Sequence, residues 1–155
     1  MRENMSPKHY IIIGATSAMA IATARQLSEG NANLSLLGRN EKSLNEIAAD
    51  LKVRGSEVSI SVLDLAKEKD PFHVLKSHFD TNGSVDGILL FYGLLGNQAQ
   101  AEENIEHARE IMLVNYSSAV EWILAGAQVL EGQGHGTILA ISSVAGDRGR
   151  KSSFV

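Results

Sequence analysis

The chain of 155 residues carries 14 basic and 18 acidic side chains, for a formal net charge of −4, and 44% of its residues are hydrophobic. This balance suits one domain with a sizeable core and argues against a general attraction to nucleic acid or an anionic membrane. Cysteine is absent and the longest apolar stretch, ILLFYGLL, is too short to span a bilayer, so we expect a single cytoplasmic domain over residues 1–155 with no disulfide and no membrane span.

Five short apolar segments predict buried β-strands, because uninterrupted apolar runs suit strands that are covered on both faces. They are residues 10–13, 34–37, 58–63, 88–91 and 137–141. Between them lie stretches with helical spacing, in which apolar side chains recur every three or four residues. The residues of these stripes are Ile21, Ala24 and Leu27; Leu44, Ile47, Ala48 and Leu51; and Val120, Ile123, Leu124, Ala127 and Leu130.

Local signals predict two further helices. Pro71 follows Asp70 and suits the first turn of a helix, where its missing N–H is not needed. The stretch 97–113 is polar at first and is expected to become helical near Ile105, which gives the fourth connection an extra helix. Alternating strands and helices predict an α/β fold with a Rossmann-type, doubly wound parallel sheet in three layers. Ligands of such sheets bind beyond the carboxyl ends of the strands.

The first strand leads through the sequence GATSAMA into a helix. A phosphate-binding turn needs a residue that is free to adopt a tight backbone, followed by amides at a helix N-terminus. Gly14 meets the first need, and Thr16 and Ser17 can cap the helix. Ala18 and Ala20 replace the later glycines of the usual fingerprint, which is compatible with a ligand if both residues are helical and the ligand clears each methyl group. Such a turn also occurs in α/β proteins that bind no nucleotide.

The ends of the second and third strands bear on the choice of cofactor. Arg39 and Asn40 follow the second strand, where an acid would bind the ribose hydroxyl of NAD and an Arg can pair with the 2′-phosphate of NADP. The sequence therefore favours NADPH over NAD, although Arg39 could also be an ordinary exposed residue at a helix start. Asp64, within LDL, is an acceptor suited to the adenine amino group and is also a common strand-ending residue.

Polar or small residues also follow the fourth and fifth strands. Gly93 permits close backbone approach, and Ser142 and Ser143 stand at the end of the fifth strand. Asn115 lies in MLVNYSSAV, beside an apolar helical face, and could be a functional residue or a helix cap. The order of these motifs resembles that of the short-chain dehydrogenase/reductase superfamily over essentially the whole chain. The motifs are the Gly-bearing turn, Asp-Leu after the third strand, Gly after the fourth strand, Asn in the next helix and Ser after the fifth strand.

Two family motifs are altered. The Thr-Gly-x-x-x-Gly-x-Gly motif has Ile13, Gly14, Ala18 and Ala20, and the Asn-Asn-Ala-Gly motif reads Leu-Phe-Tyr-Gly at residues 90–93. The second change removes side chains that brace the fourth strand in the family. With YGLLG, VNYSSAV and GDRGRKSSFV, these departures are similar to the branch containing the decaprenylphosphoryl-2-keto-ribose reductases.

The resemblance implies an oxidoreductase that interconverts a ketone and a secondary alcohol with NADPH, on a small keto or hydroxy substrate such as a sugar or sugar lipid. It implies that Ser143 polarises the carbonyl, that Asn115 feeds a proton relay, and that a Tyr-x-x-x-Lys pair completes the site. The family spacing places that tyrosine one position past Val155, so we expect a truncated chain that is inactive by itself. It further implies a homodimer or homotetramer through the helix that carries Asn115.

The resemblance also implies the cofactor contacts: Gly14, Thr16, Ser17, Ala18, Met19, Arg39, Asn40, Asp64, Leu65, Tyr92 and Gly93. No metal site is expected, because the histidines show no ligand spacing. The basic loop 147–151 either meets an anionic substrate or is simply solvated. Three alternatives stay open: a non-catalytic NADP-binding sensor, an epimerase or dehydratase of similar fold, and an interaction domain without nucleotide.

Overall fold

The computed structural model describes residues 6–149 and contains a five-stranded parallel sheet with the strand order β3-β2-β1-β4-β5. The strands are β1 His9–Ile13, β2 Asn33–Gly38, β3 Val58–Val62, β4 Gly87–Leu90 and β5 Thr137–Ala140. The predicted α/β doubly wound sheet is thus confirmed, and each strand begins and ends within one residue of its predicted bounds.

The helices are α1 Ala18–Glu29, α2 Glu41–Val53, α3 Pro71–Asn82, α4 Gln98–Glu103, α5 Ile105–Met112 and α6 Ser118–Gln133. A π-helical turn, Leu113–Ser117, joins α5 to α6 without a break. In the described part of the chain, no helix is both long and apolar enough to cross a bilayer.

Side-chain caps explain several of the helix starts. Asp70 accepts a hydrogen bond from the N–H of His73, and Pro71 begins α3, as the sequence predicts. The helical structure of the fourth connection begins earlier than expected, at Gln98 rather than near Ile105. The side chain of Asn97 accepts a hydrogen bond from the N–H of Gln100, and this cap favours a short helix in a polar segment that carries no apolar stripe.

Two hydrophobic clusters cover the two faces of the sheet, which gives the predicted three layers. Ile11 and Ile13 of β1 point to the face covered by α3 and α6, while Ile12 points to the face covered by α1 and α2. This alternation follows from the two-residue period of a strand. The central strands are therefore apolar on both sides, and the segments beyond their carboxyl ends are the region left for a ligand.

The buried face of α6 differs from the predicted stripe. Trp122 and Val129 are buried, whereas Leu124 is 63% exposed and Ala127 is exposed. A β-carbon added at Gly126 would lie 3.1 Å from Cδ1 of Ile88, so the glycine permits close packing of the helix on β4. Sequence periodicity favours the larger aliphatic side chains and missed a contact face that includes a glycine.

Candidate active site

The predicted site residues follow the carboxyl ends of the five strands along one edge of the sheet. In spatial order they include Asp64 after β3, Arg39 after β2, Gly14 after β1, Tyr92 after β4 and Ser143 after β5. The chain runs outward from β1 in one direction and then continues with β4 on the other side. Such a switch point, here between β1 and β4, is where open α/β sheets bind ligands.

Gly14 forms a tight turn directly at this switch point. Its φ is +82°, and the backbone N–H groups of Gly14 and Ala15 both donate to the carbonyl of Leu37, at 3.0 and 3.1 Å. A β-carbon added at Gly14 would lie 2.6 Å from Cβ and 2.8 Å from N of Tyr92. The turn therefore requires glycine for its backbone conformation and for its contact with the end of β4.

Helix α1 begins immediately after this turn and is capped by Ser17. Its side chain accepts a hydrogen bond from the N–H of Ala20 at 3.4 Å. Ala18 and Ala20 are both helical, so the backbone condition for replacing the glycines is met. The N–H groups of Ala18 and Met19 open the helix, where no intrahelical acceptor exists. A glycine cradle followed by helix N-terminal amides fits the pyrophosphate of a dinucleotide.

The residues after β2 have different local roles. Asn40 caps α2, because its Oδ1 accepts a hydrogen bond from the N–H of Ser43 at 3.0 Å. Arg39 and Thr16, from the neighbouring turn, are exposed. The helix cap occupies the Asn40 oxygen. Arg39 is the first charged residue after this strand, and Glu41 follows it in the first turn of α2.

The predicted adenine contact, Asp64, is half-buried and has two neighbours. Its Oδ1 accepts from the N–H of Ala66 at 3.2 Å, and its Oδ2 lies 3.5 Å from Nζ of Lys67. Leu65 is buried, and its carbonyl accepts a hydrogen bond from Nε1 of Trp122 at 2.9 Å. The segment after β3 is thus tied to α6.

Tyr92 connects the segment after β4 to the start of α6. Its hydroxyl lies 2.9 Å from Oγ of Ser118, and Ser118 donates in turn to the carbonyl of Val114 at 3.1 Å. Because the single hydroxyl proton of Ser118 is used for Val114, Tyr92 is the donor to Ser118. Burial raises the pKa of the Tyr92 phenol, which keeps the donor protonated.

Asn115 lies inside the π-helical turn and is not an N-cap. Its Oδ1 accepts from the N–H of Leu94 and its Nδ2 donates to the carbonyl of Leu94, both at 2.7 Å. A β-carbon added at Gly93 would lie 3.3 Å from Oδ1 of Asn115. The wide turn thus places an amide against the backbone that follows β4, consistent with the frequent occurrence of π-turns at functional sites.

Ser143 is exposed in the turn after β5. Its Oγ accepts a hydrogen bond from the N–H of Ala145 at 3.2 Å. The N–H of Ile141 donates to the carbonyl of Leu90 at 3.0 Å and holds the end of β5 beside that of β4. Ser143 and Asn115 therefore reach the same edge of the sheet, although the Asn115 amide bonds Leu94 rather than Ser143.

Of the basic loop 147–151, Arg148 is exposed, while Arg150 and Lys151 lie outside the described residues. Within residues 6–149 no three histidine, aspartate or glutamate side chains form a group that could hold a metal ion.

Sequence reasoning missed Ser118 as the partner of Tyr92. Ser118 is buried and lies four residues before the buried Trp122, on the same face of α6. A serine on the same buried helical face as an aromatic side chain needs a hydrogen-bond partner inside the protein. The signal was hidden because the predicted stripe used Val120 and Leu124 instead.

Comparison with protein families gives a match to the model described as short chain dehydrogenase over residues 8–155. An uncharacterized oxidoreductase of Streptomyces coelicolor is 34% identical over 150 residues, which cover 96% of this chain and 59% of that protein. An uncharacterized oxidoreductase of Mycobacterium tuberculosis is 29% identical over 147 residues, covering 94% of this chain and 58% of that protein. The chain thus spans less than two thirds of the length of these relatives.

Solved structures share the fold. NAD⁺-bound xylitol dehydrogenase matches with a TM-score of 0.87 at 23% identity, over 94% of this chain and 56% of that one. A variant of actinorhodin polyketide ketoreductase with NADPH matches with a TM-score of 0.85 at 21% identity, over 95% of this chain and 57% of that one. One of these neighbours carries NAD⁺ and the other NADPH, so the likeness of fold does not choose between the two cofactors.

Proposed function

This chain belongs to the short-chain dehydrogenase family, and we propose that it forms the cofactor-binding part of an NADPH-dependent oxidoreductase that interconverts a ketone and a secondary alcohol. The observation that carries the proposal is the Gly14 turn, which closes against Tyr92 at the switch point and opens into the N-terminus of α1. In this proposal the amides of Ala18 and Met19 bind the pyrophosphate, with Thr16 and Ser17 beside them.

Arg39 supports the preference for NADPH. It is exposed at the carboxyl end of β2. The side-chain oxygen of the neighbouring Asn40 caps α2 by accepting a hydrogen bond from the N–H of Ser43. A guanidinium group can pair with the 2′-phosphate of NADP, and Arg39, rather than an acid, directly follows β2. The first acid after the strand is Glu41, in the first turn of α2. Asp64 and Leu65 would border the adenine, and Gly93 would allow the ring system to approach the backbone.

Ser143 supplies the hydrogen-bond donor for the substrate. Its exposed hydroxyl, at the end of β5, is free to rotate and donate to a carbonyl oxygen while its Oγ accepts from Ala145. When bound, NADPH would supply a hydride to the carbonyl carbon. The tyrosine of the Tyr-x-x-x-Lys pair that the family resemblance implies would supply the proton to the carbonyl oxygen. The substrate class we propose is a keto-sugar or a sugar lipid. In this proposal Asn115 contributes to the site by holding the backbone of Leu94, in the segment after β4.

The activity is tested with the protein at the full length of its relatives. NADPH oxidation is followed over a panel of keto-sugars for wild type, Ser143→Ala and the matched variant Ser142→Ala. We expect a large loss of kcat for Ser143→Ala, on the order of 10²-fold, and little change for Ser142→Ala. An equal rate for wild type and Ser143→Ala would remove this serine from the reaction.

The arrangement of Asn115 favours one alternative, a non-catalytic NADP-binding sensor. Its amide makes both hydrogen bonds to Leu94 and is not directed to Ser143. A sensor would bind NADPH and show no sustained oxidation with any ketone of the panel, whereas the proposed reductase would consume NADPH in proportion to the ketone added.

We also propose that the protein forms a homodimer or homotetramer through the helical stretch from α5 to α6. Its exposed side includes Leu113, Tyr116 and Leu124, with exposed fractions of 42%, 71% and 63%. Leu124→Glu should lower the molar mass measured by light scattering after size exclusion. Val53→Glu changes an exposed apolar residue of α2 in the same way and should leave the mass unchanged.

A further inference from the structure

The segment that follows β4 forms one wall of the Gly14 turn. The last backbone hydrogen bond between β4 and β1 runs from the N–H of Phe91 to the carbonyl of Ile13, at 2.8 Å. The next residue, Tyr92, approaches Gly14 so closely that no side chain fits between them. Any movement of Tyr92 therefore changes the space in which the turn and the start of α1 meet a ligand.

The helical stretch from α5 to α6 holds this wall by two side-chain connections. Asn115 bonds both backbone groups of Leu94. Ser118 accepts the hydroxyl of Tyr92 and is itself fixed by its bond to Val114. Among residues 90–93, only Tyr92 has a side chain that can form a hydrogen bond to this helix. The two residues before it are Leu and Phe, and the residue after it is Gly.

We propose that Tyr92 is a positioning residue for the cofactor, and that its hydroxyl bond to Ser118 fixes the wall against which the Gly14 turn closes. The inference rests on the proposed NADP-binding function. In the family motif Asn-Asn-Ala-Gly, the two Asn side chains brace the end of the fourth strand. In this chain, the hydrogen bond between Tyr92 and Ser118 would take over that role. Ser118 supports the position of Tyr92 without contacting the cofactor itself.

The burial of Ser118 and the partial burial of Tyr92 make this bond sensitive to a conservative change. Ser118 is buried and Tyr92 is half-buried, so water does not readily replace the lost partner. Tyr92→Phe keeps the ring that packs against the turn and removes only the donor. Ser118→Ala removes the acceptor and leaves the ring and its hydroxyl in place.

The experiment measures the Kd for NADP⁺ by titration calorimetry, together with hydrogen exchange of the cofactor-free protein. We expect Tyr92→Phe and Ser118→Ala each to raise the Kd by about three- to tenfold, as expected for the loss of one hydrogen bond. The double variant should bind as weakly as either single variant, because both changes break the same bond. Exchange should become faster in residues 14–17 and 92–95 of the cofactor-free variants.

Tyr10→Phe is the control, since Tyr10 lies near the other end of β1 with its ring against Gly87. It should leave the Kd and the exchange of residues 14–17 unchanged. The inference is overturned if Tyr92→Phe lowers only the melting temperature and leaves both readouts unchanged. If wild type itself binds no NADP⁺, the proposed function fails, and exchange in the cofactor-free protein still shows whether Tyr92 holds the turn.

Discussion

Asn115 and Gln133 make the same pair of hydrogen bonds at opposite ends of the β4 segment. The Asn115 amide bonds the N–H and carbonyl of Leu94 at 2.7 Å, and the Gln133 amide bonds the N–H and carbonyl of Val85 at 2.9 Å. Both side chains belong to the continuous stretch from α5 to α6, which therefore holds the segment at each end. Only Asn115 lies at the edge that carries Gly14.

This symmetry gives a matched pair of variants, Asn115→Leu and Gln133→Leu. Asn115→Leu removes two hydrogen bonds to the backbone, and Gln133→Leu removes three, because Gln133 also donates to the carbonyl of His135 at 2.8 Å. We expect each variant to lower the free energy of unfolding by about 1–2 kcal/mol in urea titrations. Only Asn115→Leu should weaken binding of NADP⁺, because only it releases the segment beside the Gly14 turn. Similar Kd values for the two variants would show that the Asn115 clamp serves stability alone.

Gly14→Ala and Gly83→Ala separate backbone strain from steric overlap. The two glycines have φ of +82° and +77°, and an added β-carbon meets Tyr92 at Gly14 but nothing within 4 Å at Gly83. Both variants should lose about 1–2 kcal/mol of stability from the left-handed backbone. Gly14→Ala should lose roughly 1–3 kcal/mol more from overpacking and should also bind NADP⁺ poorly.

These losses are measured by urea unfolding and calorimetry on the same preparations. Gly83→Ala serves as the control because Gly83 ends α3 and should retain the wild-type Kd. Normal NADP⁺ binding by Gly14→Ala would contradict the assignment of the cofactor to this turn.

Arg39→Glu tests the preference for NADPH. The change replaces a partner of the 2′-phosphate with a group that repels it and that could bind the ribose hydroxyl of NADH. The ratio of the two Kd values should shift towards NADH by tenfold or more, equivalent to about 1.4 kcal/mol. Lys42→Glu makes the same charge change at an exposed position in the first turn of α2 and should shift the ratio little. Equal shifts for both variants would indicate a general field effect.

The positions of the strands could be predicted because strands of a parallel sheet carry apolar runs bounded by polar or small residues. The prediction that all five are buried holds for the central strands β1, β2 and β4, whereas β3 and β5 lie at the edges of the sheet and are partly exposed. The packing face of α6 could not be predicted, since it depends on Gly126 fitting against Ile88 and on Trp122 reaching the carbonyl of Leu65. Both contacts join residues that are far apart in the sequence. Helical period alone gave equal weight to Leu124, which the structure leaves exposed.

The site was predictable to the level of which residues reach the edge of the sheet. Gly14, Arg39 and Ser143 were found because each follows a strand that could be recognised. The bond between Tyr92 and Ser118 was not found, because it joins residues 26 apart in the sequence and because the predicted stripe of α6 used Val120 and Leu124 in place of the face that carries Ser118. Asn40 is a different case. It was assigned to the cofactor, and in the structure its side-chain oxygen caps α2, which is a local role that the sequence of a helix start predicts.

Two histidines are buried where α3 covers the sheet, His9 in β1 and His78 in α3 itself. His9 Nδ1 lies 2.9 Å from the carbonyl of Ser84, and its Nε2 lies 2.8 Å from Oγ of Ser35. His78 Nε2 lies 3.0 Å from Oγ of Ser61. Burial lowers the pKa of both imidazoles, and the charge of His9 lowers the pKa of His78 further. The bond to the Ser84 carbonyl and the charge of Asp86 act in the opposite direction on the pKa of His9.

The protein should therefore lose stability in mild acid. Above about pH 6.5, the ordinary pKa of histidine, both imidazoles are neutral in the folded and unfolded states. As the pH falls below that value, the unfolded chain binds protons that the folded chain resists, so the free energy of unfolding falls by up to about 1.4 kcal/mol per pH unit for each histidine. The loss levels off once the pH passes below the lowered pKa of the folded state.

Urea unfolding from about pH 7.5 to about pH 5 measures how the free energy of unfolding changes with pH. The variant His78→Gln separates the contribution of this imidazole to that change from the contribution of the carboxylates. The variant keeps a side chain able to bond Ser61 and should show a shallower decline with acid than wild type. His135→Gln changes an exposed histidine and should follow the wild-type curve. A His78→Gln curve parallel to wild type over the whole range would mean that His78 takes up its proton equally in both states, contrary to the effect of its burial.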